Sequence, residues 1–394
     1  MIKQNSTIRK STIRKSTSQN STIQSGLPIS TSLTFHPNCS SGIFSALALA
    51  LGSLSFTASA ANLPSLPEPI ANNAVTKITA KGHDYFLSFN GLTSGKDYQA
   101  VTNKAFMLKV GDNNWQTIKP VPIETPVNGL VGRLASVATS INGKAYVFGG
   151  YTVAKDHSEV SVPDVYSFNP LSKSYRQLAP MPVPVDDSVA LPYQDRYIYL
   201  VSGWHNDGNV NLVQVYDVKN DTWQQASPYP GRPVFGQAGA IANNQMIVCD
   251  GVRVDVHLEK RRSYAAEPAC YLGKIGDKSP YKIDWRKVEH PTGTARYRMA
   301  AIGDDATNSA YFVGGSDNPY NYSGIGYNGV PSEPDSKVWQ FKFSDKQWQL
   351  SNTKTATMDH RMLVKHQGQL LTVGGMLKGQ EVTDKVIVQA NLSK

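Results

Sequence analysis

The sequence predicts an all-β protein, a six-bladed β-propeller closed by its own processed N-terminal strand. Three observations predict it. A glycine-capped apolar run occurs six times, at Tyr85–Gly91, Tyr146–Gly150, Tyr199–Gly203, Ile247–Gly251, Tyr311–Gly315 and Leu371–Gly375. After the first five comes an aromatic residue, Trp115, Tyr175, Trp223, Trp285 and Trp348, with steps of 48 to 63 residues between them. Pro-rich exits follow three of these, TIKPVP at 117–122, QLAPMP at 177–182 and QASPYP at 225–230. Self-similarity at this period marks an array in which one supersecondary unit is repeated.

The first 60 residues stand apart from the array. They hold Lys3, Arg9, Lys10, Arg14 and Lys15, no acidic residue, then the apolar run Gly42–Phe56 and Ala58-Ser59-Ala60. A basic start, a short apolar middle and an A-x-A exit read as a secretory leader. The apolar run is shorter than the roughly 20 residues of a membrane span. Cleavage after Ala60 and a periplasmic or secreted product are therefore expected, with no stable membrane insertion once the leader is gone. Domains are then 1–60, leader, and 61–394, one propeller. Without those five cations the formal charge falls from +9 to +4. The basic balance belongs to export, so nucleic acid is not an expected partner.

Each unit reads as four short antiparallel strands. The second shows it best: Arg133–Ser140, the turn Asn142-Gly143, Ala145–Gly149, Asp164–Phe168 and Tyr175–Leu178. Asn-Gly between apolar runs is a strong hairpin signal, because that turn needs positive φ at both central residues. The units fall at about 72–122, 130–182, 185–230, 232–291, 294–352 and 356–392. The sixth ends on Val386–Leu392 without an aromatic fourth strand. The segment NLPSLP at 62–67 matches the Pro-rich exits, so the N-terminus is expected to supply the outer strand of the sixth blade. Ring closure of this kind removes exposed sheet edges.

The diglycine-to-tryptophan units resemble kelch repeats over essentially all of 62–392, which implies a kelch-type propeller. The leader, the six units, the large loop after the fifth diglycine and the final LTVGG…VTDKVIV strand pair are similar to the N-acetylneuraminate epimerase (sialic-acid mutarotase) family. That resemblance implies an acidic sugar ligand and acid–base isomerase chemistry. The family pattern places a carboxylate after an Asn-Gly at the fourth unit's exit and an arginine a few residues on. Here the stretch reads Asp250-Gly251-Val252, so Val252 occupies the carboxylate's position.

Candidate site residues come from the loops entering first strands and leaving second strands, which share one face of a propeller. Arg133, Asp186, Asp187, Arg232, Arg296, Arg298, His360 and Arg361 enter first strands. Arginines converging on the axis suit a carboxylate, which they grip bidentately. The same arginines also fit a structural role between blades. The loop 316–334 carries Tyr320, Tyr322, Tyr327 and Asn328, aromatic faces and an amide of the kind that recognise sugars. The insertion 252–268 carries Glu259, Arg261 and Arg262. Catalytic candidates are Glu333, Asp250 and Arg262; binding candidates are Arg133, Asp187, Arg298, Arg361, Tyr320, Tyr322, Tyr327 and Asn328. Cys249 and Cys270 lie on adjacent expected strands and form a candidate disulfide, with two buried thiols as the alternative.

No H-x-H or H-E-x-x-H pair occurs, so no metal is expected, and no cofactor motif is present. Two functions remain. One is an exported propeller whose axial pocket binds a carbohydrate and catalyses its mutarotation. The other is a non-catalytic module that binds a glycan or a protein partner.

Overall fold

The computed structural model describes residues 63–124 and 126–392, so the expected leader lies outside the described residues. Five four-stranded antiparallel sheets and one three-stranded sheet follow one another in chain order, a six-bladed β-propeller. The innermost strands are Ala74–Ala80, Val137–Ile141, Val189–Tyr193, Ala238–Ala242, Ala300–Asp304 and Val364–His366. Blade two is representative, with Val137–Ile141, Lys144–Phe148, Val165–Asn169 and Ser174–Gln177. Its Asn142-Gly143 turn has φ of 49° and 71°, the positive pair that a tight hairpin demands. The last glycine of each capped run sits against backbone. A Cβ on Gly150 would fall 2.6 Å from the Leu134 carbonyl oxygen, and φ there is 97°.

Apolar side chains fill the wedges between blades, and the fourth-strand aromatics join neighbours by a repeated hydrogen bond. Trp115 Nε1 donates to Pro64 O at 2.8 Å, Tyr175 Oη to Lys119 O at 3.0 Å and Trp223 Nε1 to Ala179 O at 2.9 Å. Trp285 Nε1 donates to Ser227 O at 3.3 Å and Trp348 Nε1 to Glu289 O at 2.8 Å. The donor always belongs to one blade and the acceptor to the exit segment of the blade before it.

The N-terminal segment takes part in this scheme. Leu66 N–H donates to Asp384 O at 2.8 Å, as Val121, Met181 and Tyr229 donate to Asn103, Pro163 and Asn211 in their blades. Leu66 also packs against Val364, Leu371 and Val373 of blade six. The closing segment is therefore extended and bonded to blade six, but it does not run as a ladder along 386–392. Among the described residues that sheet has three strands. Pro64, Pro67 and Pro69 carry no N–H, so this stretch cannot pair residue by residue.

Around the axis runs a collar of six hydrogen bonds. Asn72 N donates to Asp359 O, Asp187 N to Ala135 O, Gly236 N to Asp187 O, Arg298 N to Gly236 O and His360 N to Arg298 O. The Asn72 side-chain oxygen closes the ring by accepting from Ala135 N at 2.5 Å. The residues Asn72, Ala135, Asp187, Gly236, Arg298 and Asp359 all have positive φ, between 48° and 69°.

Cys249 and Cys270 are directly opposed in the ladder of blade four and form a disulfide. No helix among the described residues is long and apolar enough to cross a membrane.

The aromatic joints make a measurable claim. Trp223→Ala should lower unfolding stability by about 3 kcal/mol through lost burial. Trp223→Phe, which keeps the ring against Phe148 and Tyr216 but loses the donor, should cost only about 1 kcal/mol. Equal urea midpoints for the two variants would contradict the joint.

Candidate functional site

Three short hairpins rise from the exits of second strands: Tyr151–Val153 with Glu159–Ser161, Trp204–His205 with Gly208–Asn209, and Val252–Asp255 with Ser263–Ala266. With the loop 316–334 they wall a cavity of about 210 Å³ above the collar. Tyr151, Trp204, Phe235, Tyr264, Tyr322 and Tyr327 supply its aromatic surface, and Glu159, Asp186, Asp187, Arg298 and His157 its charged or polar groups. Tyr264 and Tyr327 stack with centroids 4.1 Å apart, while Trp204 meets Phe235 edge-on at 5.4 Å. A larger cavity of about 670 Å³ opens at the opposite mouth of the channel. Its lysines are already engaged, Lys365 with Asp304 at 2.6 Å and Lys77 with Asp84 at 2.8 Å, and Tyr193 is the one aromatic in its wall. The smaller cavity is the one lined by aromatic rings together with carboxyl groups.

Its floor is a buried ion cluster. Arg298 pairs with Asp187 at 2.5 Å and Asp359 at 3.0 Å, and Arg361 reaches from blade six to Asp187 on blade three, across the axis. Arg361 also donates to His360 O and to Asn72 Oδ1. Burial alone would raise the Asp187 carboxyl, but the two arginines hold it below the usual range. Burial wins for Asp359, whose carboxyl is raised against the pull of the same arginines. His360, buried beside Arg361, is held neutral with its value down to about 3. Arg298 and Arg361 thus already pair with protein carboxylates, where a ligand carboxylate was expected for both, and among the described residues Arg361 Nε is their one nitrogen without a partner.

Above the floor stand two carboxyl groups with raised affinity for protons. Glu159 is an exposed residue on the cavity wall, its carboxyl partly covered by the protein around the cavity. That burial pushes it up to about 7, with Asp187 adding and Arg298 and Arg262 opposing. Asp186 is buried, and burial together with Asp187 raises its carboxyl well above the usual range. One of its oxygens accepts from Ser161 Oγ at 2.6 Å. Arg262 lies over the Trp204 ring at 5.0 Å and the Tyr264 ring at 5.9 Å and donates to Asp207 O at 2.7 Å. Those contacts take up no carboxylate, so this guanidinium retains its capacity for an anion.

Among the sequence candidates, Asp187, Arg298, Arg361, Tyr320, Tyr322, Tyr327 and Arg262 gather at or beneath this cavity. Tyr322 Oη meets His157 Nδ1 at 3.3 Å, and Tyr320 is buried under it against Tyr297 and Arg298. Four candidates lie elsewhere. Arg133 is buried between blades, donating to Leu130 O and Gly132 O and pairing with Asp164. Asp250 uses both carboxylate oxygens within the structure, one on His290 Nε2 and one on Arg296 N, each at 2.7 Å. Glu333 accepts from Gly379 N and Gln380 Nε2, tying two loops together. Asn328 caps a turn by accepting from Val330 N.

Asp250, Cys270 and His290 present ligand-type atoms within 4.8 Å of one another. The arrangement does not suit a metal. His290 Nδ1 accepts from Thr292 N and Gly293 N, so its proton resides on Nε2 and points at Asp250, and the Cys270 sulfur is in the disulfide.

Sequence reasoning missed Glu159, Trp204 and Tyr264. All three stand on second-to-third-strand connections, the face already selected: Glu159 and Trp204 in hairpins shorter than the loops that drew attention, and Tyr264 within the insertion 252–268, where the charged residues were chosen instead.

The KLHDC2/KLHL20/DRC7 Kelch-repeats domain model matches residues 76–268. Kelch-like protein 15 of Homo sapiens is 28% identical over 112 residues, covering 28% of this chain and 18% of that protein. The chain thus spans under a fifth of that relative's length. The N-acetylneuraminate epimerase of Pasteurella multocida (strain Pm70) is 25% identical over 387 residues, covering 85% of this chain and 93% of the relative. The solved structure of YjhT superposes with a TM-score of 0.63 at 15% identity, over 83% of this chain and 96% of that one. Six sheets, diglycine exits and aromatic joints agree with these likenesses: the chain is a kelch-repeat six-bladed β-propeller related, at low identity, to proteins named N-acetylneuraminate epimerase.

Proposed function

We propose that the protein is an exported sugar mutarotase whose axial cavity takes an acidic sugar of the sialic-acid type. The observation that carries this reading is the pair of proton-holding carboxyls, Glu159 and Asp186, in one aromatic-walled cavity. Two carboxyl groups that their surroundings both push toward the protonated form, lining one cavity, are candidates for an acid and a base. Relatedness to proteins named N-acetylneuraminate epimerase supports the substrate class.

Glu159, as carboxylate, removes the proton of the anomeric hydroxyl. The ring C–O bond breaks as the ring oxygen takes a proton from Asp186, leaving an open-chain carbonyl compound. Rotation about the bond to the carbonyl carbon and reclosure on its other face give the second anomer, and both protons return. Trp204, Tyr264 and Tyr327 offer ring faces to the sugar's C–H surface, and Arg262 receives its carboxylate. The two buried arginines of the floor act at a distance, by holding Asp187 ionised beneath the cavity. No cofactor is needed for these steps.

A second reading, a non-catalytic glycan-binding module with or without a protein partner, draws on one observation. Val252, at the family's carboxylate position, is fully buried against Phe235 and offers no chemistry.

Proton NMR of freshly released α-anomer separates the two readings. The protein should speed equilibration over buffer, and Glu159→Gln should remove about 10²–10⁴-fold of that acceleration while sugar still binds. Saturable binding with no rate effect in the unaltered protein selects the module instead. Arg262→Ala should weaken binding of the acidic sugar by tenfold or more, the size of a charge-assisted contact, at about 1.5–3 kcal/mol. The neutral analogue lacking the carboxylate should be unaffected. The rate should climb with pH through about 7 as Glu159 loses its proton, and fall again where Asp186 ionises. A profile flat from pH 5 to 9, a window of about two units either side of 7, would remove Glu159 as the base.

A further inference from the structure

One short strand on the cavity wall, Glu159–Ser161, carries two side chains toward the proposed acid–base pair. It pairs with Tyr151–Val153, Ser161 opposite Tyr151 and Glu159 opposite Val153. Side chains alternate along a strand, so residues two apart share a face. Glu159 lines the cavity, and Ser161 on the same face reaches Asp186 of blade three. Its hydroxyl is engaged on both sides. Ser161 Oγ accepts from Asn206 N at 3.1 Å and gives its own proton to Asp186 Oδ2 at 2.6 Å. Asn206 Oδ1 accepts in turn from Ser161 N at 3.2 Å, so the blade-three hairpin holds both the backbone and the side chain of the serine. The next hairpin round the ring is fixed to its neighbour in another way. There Asn209 Nδ2 donates to Pro233 O at 3.0 Å and to Val252 O at 2.9 Å, both backbone carbonyls. Holding a hairpin in place does not require a carboxyl partner.

We propose that Ser161 is the positioning residue for the acid, fixing the Asp186 proton on Oδ1, an assignment that rests on the mutarotase reading. A carboxyl oxygen that accepts from a hydroxyl is the carbonyl-like one, so the proton belongs to the other oxygen. Among the described residues Oδ1 has no hydrogen-bond partner, and Asp186 lines the cavity. The proton is therefore presented to the sugar's ring oxygen and not spent on the protein. When it leaves, the O–H electron pair stays on Asp186, and the new charge meets a donor already in place. Reclosure of the ring returns the proton to Oδ1. The other charged or titratable groups that bear on Asp186 are Asp187 beside it, Glu159 and Tyr151 from blade two, and Arg298 from blade five. Among the described residues none of these bonds its carboxyl; Ser161 does.

Ser161→Ala and Ser161→Thr in the full chain test this assignment, with two readouts. Carboxyl-carbon NMR of aspartate-labelled protein follows Asp186, whose signal is identified by its loss in Asp186→Asn. Anomer exchange of the acidic sugar gives the pH profile. A hydroxyl that donates to a carboxyl favours the ionised form, so without it Asp186 keeps its proton to higher pH. Ser161→Ala should therefore move both the carboxyl titration and the high-pH fall in rate upward, by about one to two pH units, with KM unchanged. Ser161→Thr, which keeps the donor, should restore both, and cooperative urea transitions check that each variant folds. A titration and a profile that stay in place in Ser161→Ala overturn the proposal. So does a shift in Ser161→Thr as large as that in Ser161→Ala, which would make packing the cause. An unaltered protein that speeds no anomer exchange removes the mutarotase reading, and the acid's role with it. The carboxyl titration still reads, separately, whether the serine holds Asp186.

Discussion

The collar of hydrogen bonds around the axis is the constraint from which the rest of the architecture follows. Each blade contributes one residue with positive φ, and in five of the six its backbone carbonyl accepts from the next blade. Such a turn costs a non-glycine residue about 1 kcal/mol or more, and five of the six positions are not glycine. The exception, Gly236, faces the Tyr297 ring, where a Cβ would lie 1.9 Å away. A ring of this kind is cooperative in the plain sense that opening any joint leaves a buried N–H and C=O without partners. Asn72, near the start of the described chain, closes it with its side chain, so the two ends of the array are held at the most buried place in the molecule.

The collar also decides where chemistry can sit. It gathers the side chains of blades three, five and six at the axis, and they meet as Asp187, Arg298 and Asp359 with Arg361 beside them. Buried charges must be paired, and here they pair with one another. An arginine that neutralises two carboxylates has little left for a ligand. The floor of the cavity is consequently a plug with a fixed field, and the groups able to exchange protons or bind an anion stand one layer higher. Glu159 and Arg262 are there because hairpins lift them clear of the cluster.

The fold was legible in the sequence because its determinants are local and repeated. Asn142-Gly143 turns as its residue types demand, and the exit motif around Leu66 matches Val121, Met181 and Tyr229 in hydrogen bonding as well as in composition. The site was legible only by address. Asp250 looked like a catalytic acid on a loop. It stands at the first position of a capped pair, where Asn90, Ser202 and three glycines also adopt positive φ, and an Asx residue tolerates that conformation. Its carboxylate then serves the neighbouring blade. Arg133 looked axial because it precedes a first strand, but the strand begins four residues later at Val137 and the guanidinium turns back to backbone carbonyls. Glu159 carried no mark at all. Its character comes from protein packed around it by residues distant in sequence, which spacing does not report.

The division of labour between repeated and unrepeated parts has a physical basis. First strands, capped turns and aromatic joints each satisfy contacts with two neighbours, so a change in one blade is felt in the next. The connections from second to third strands have no such obligation. They range from a single 3-10 turn at Tyr98–Ala100 to the loop of 316–334, and their ends are held apart by the sheet whatever their length. Extending them costs little, since loop-closure entropy grows only with the logarithm of length. All six open on the same mouth of the channel. A cavity walled by three hairpins and one loop can therefore acquire aromatic faces and a proton-bearing carboxyl without disturbing the collar below it, whereas the same residues placed on first strands would have to be neutralised there.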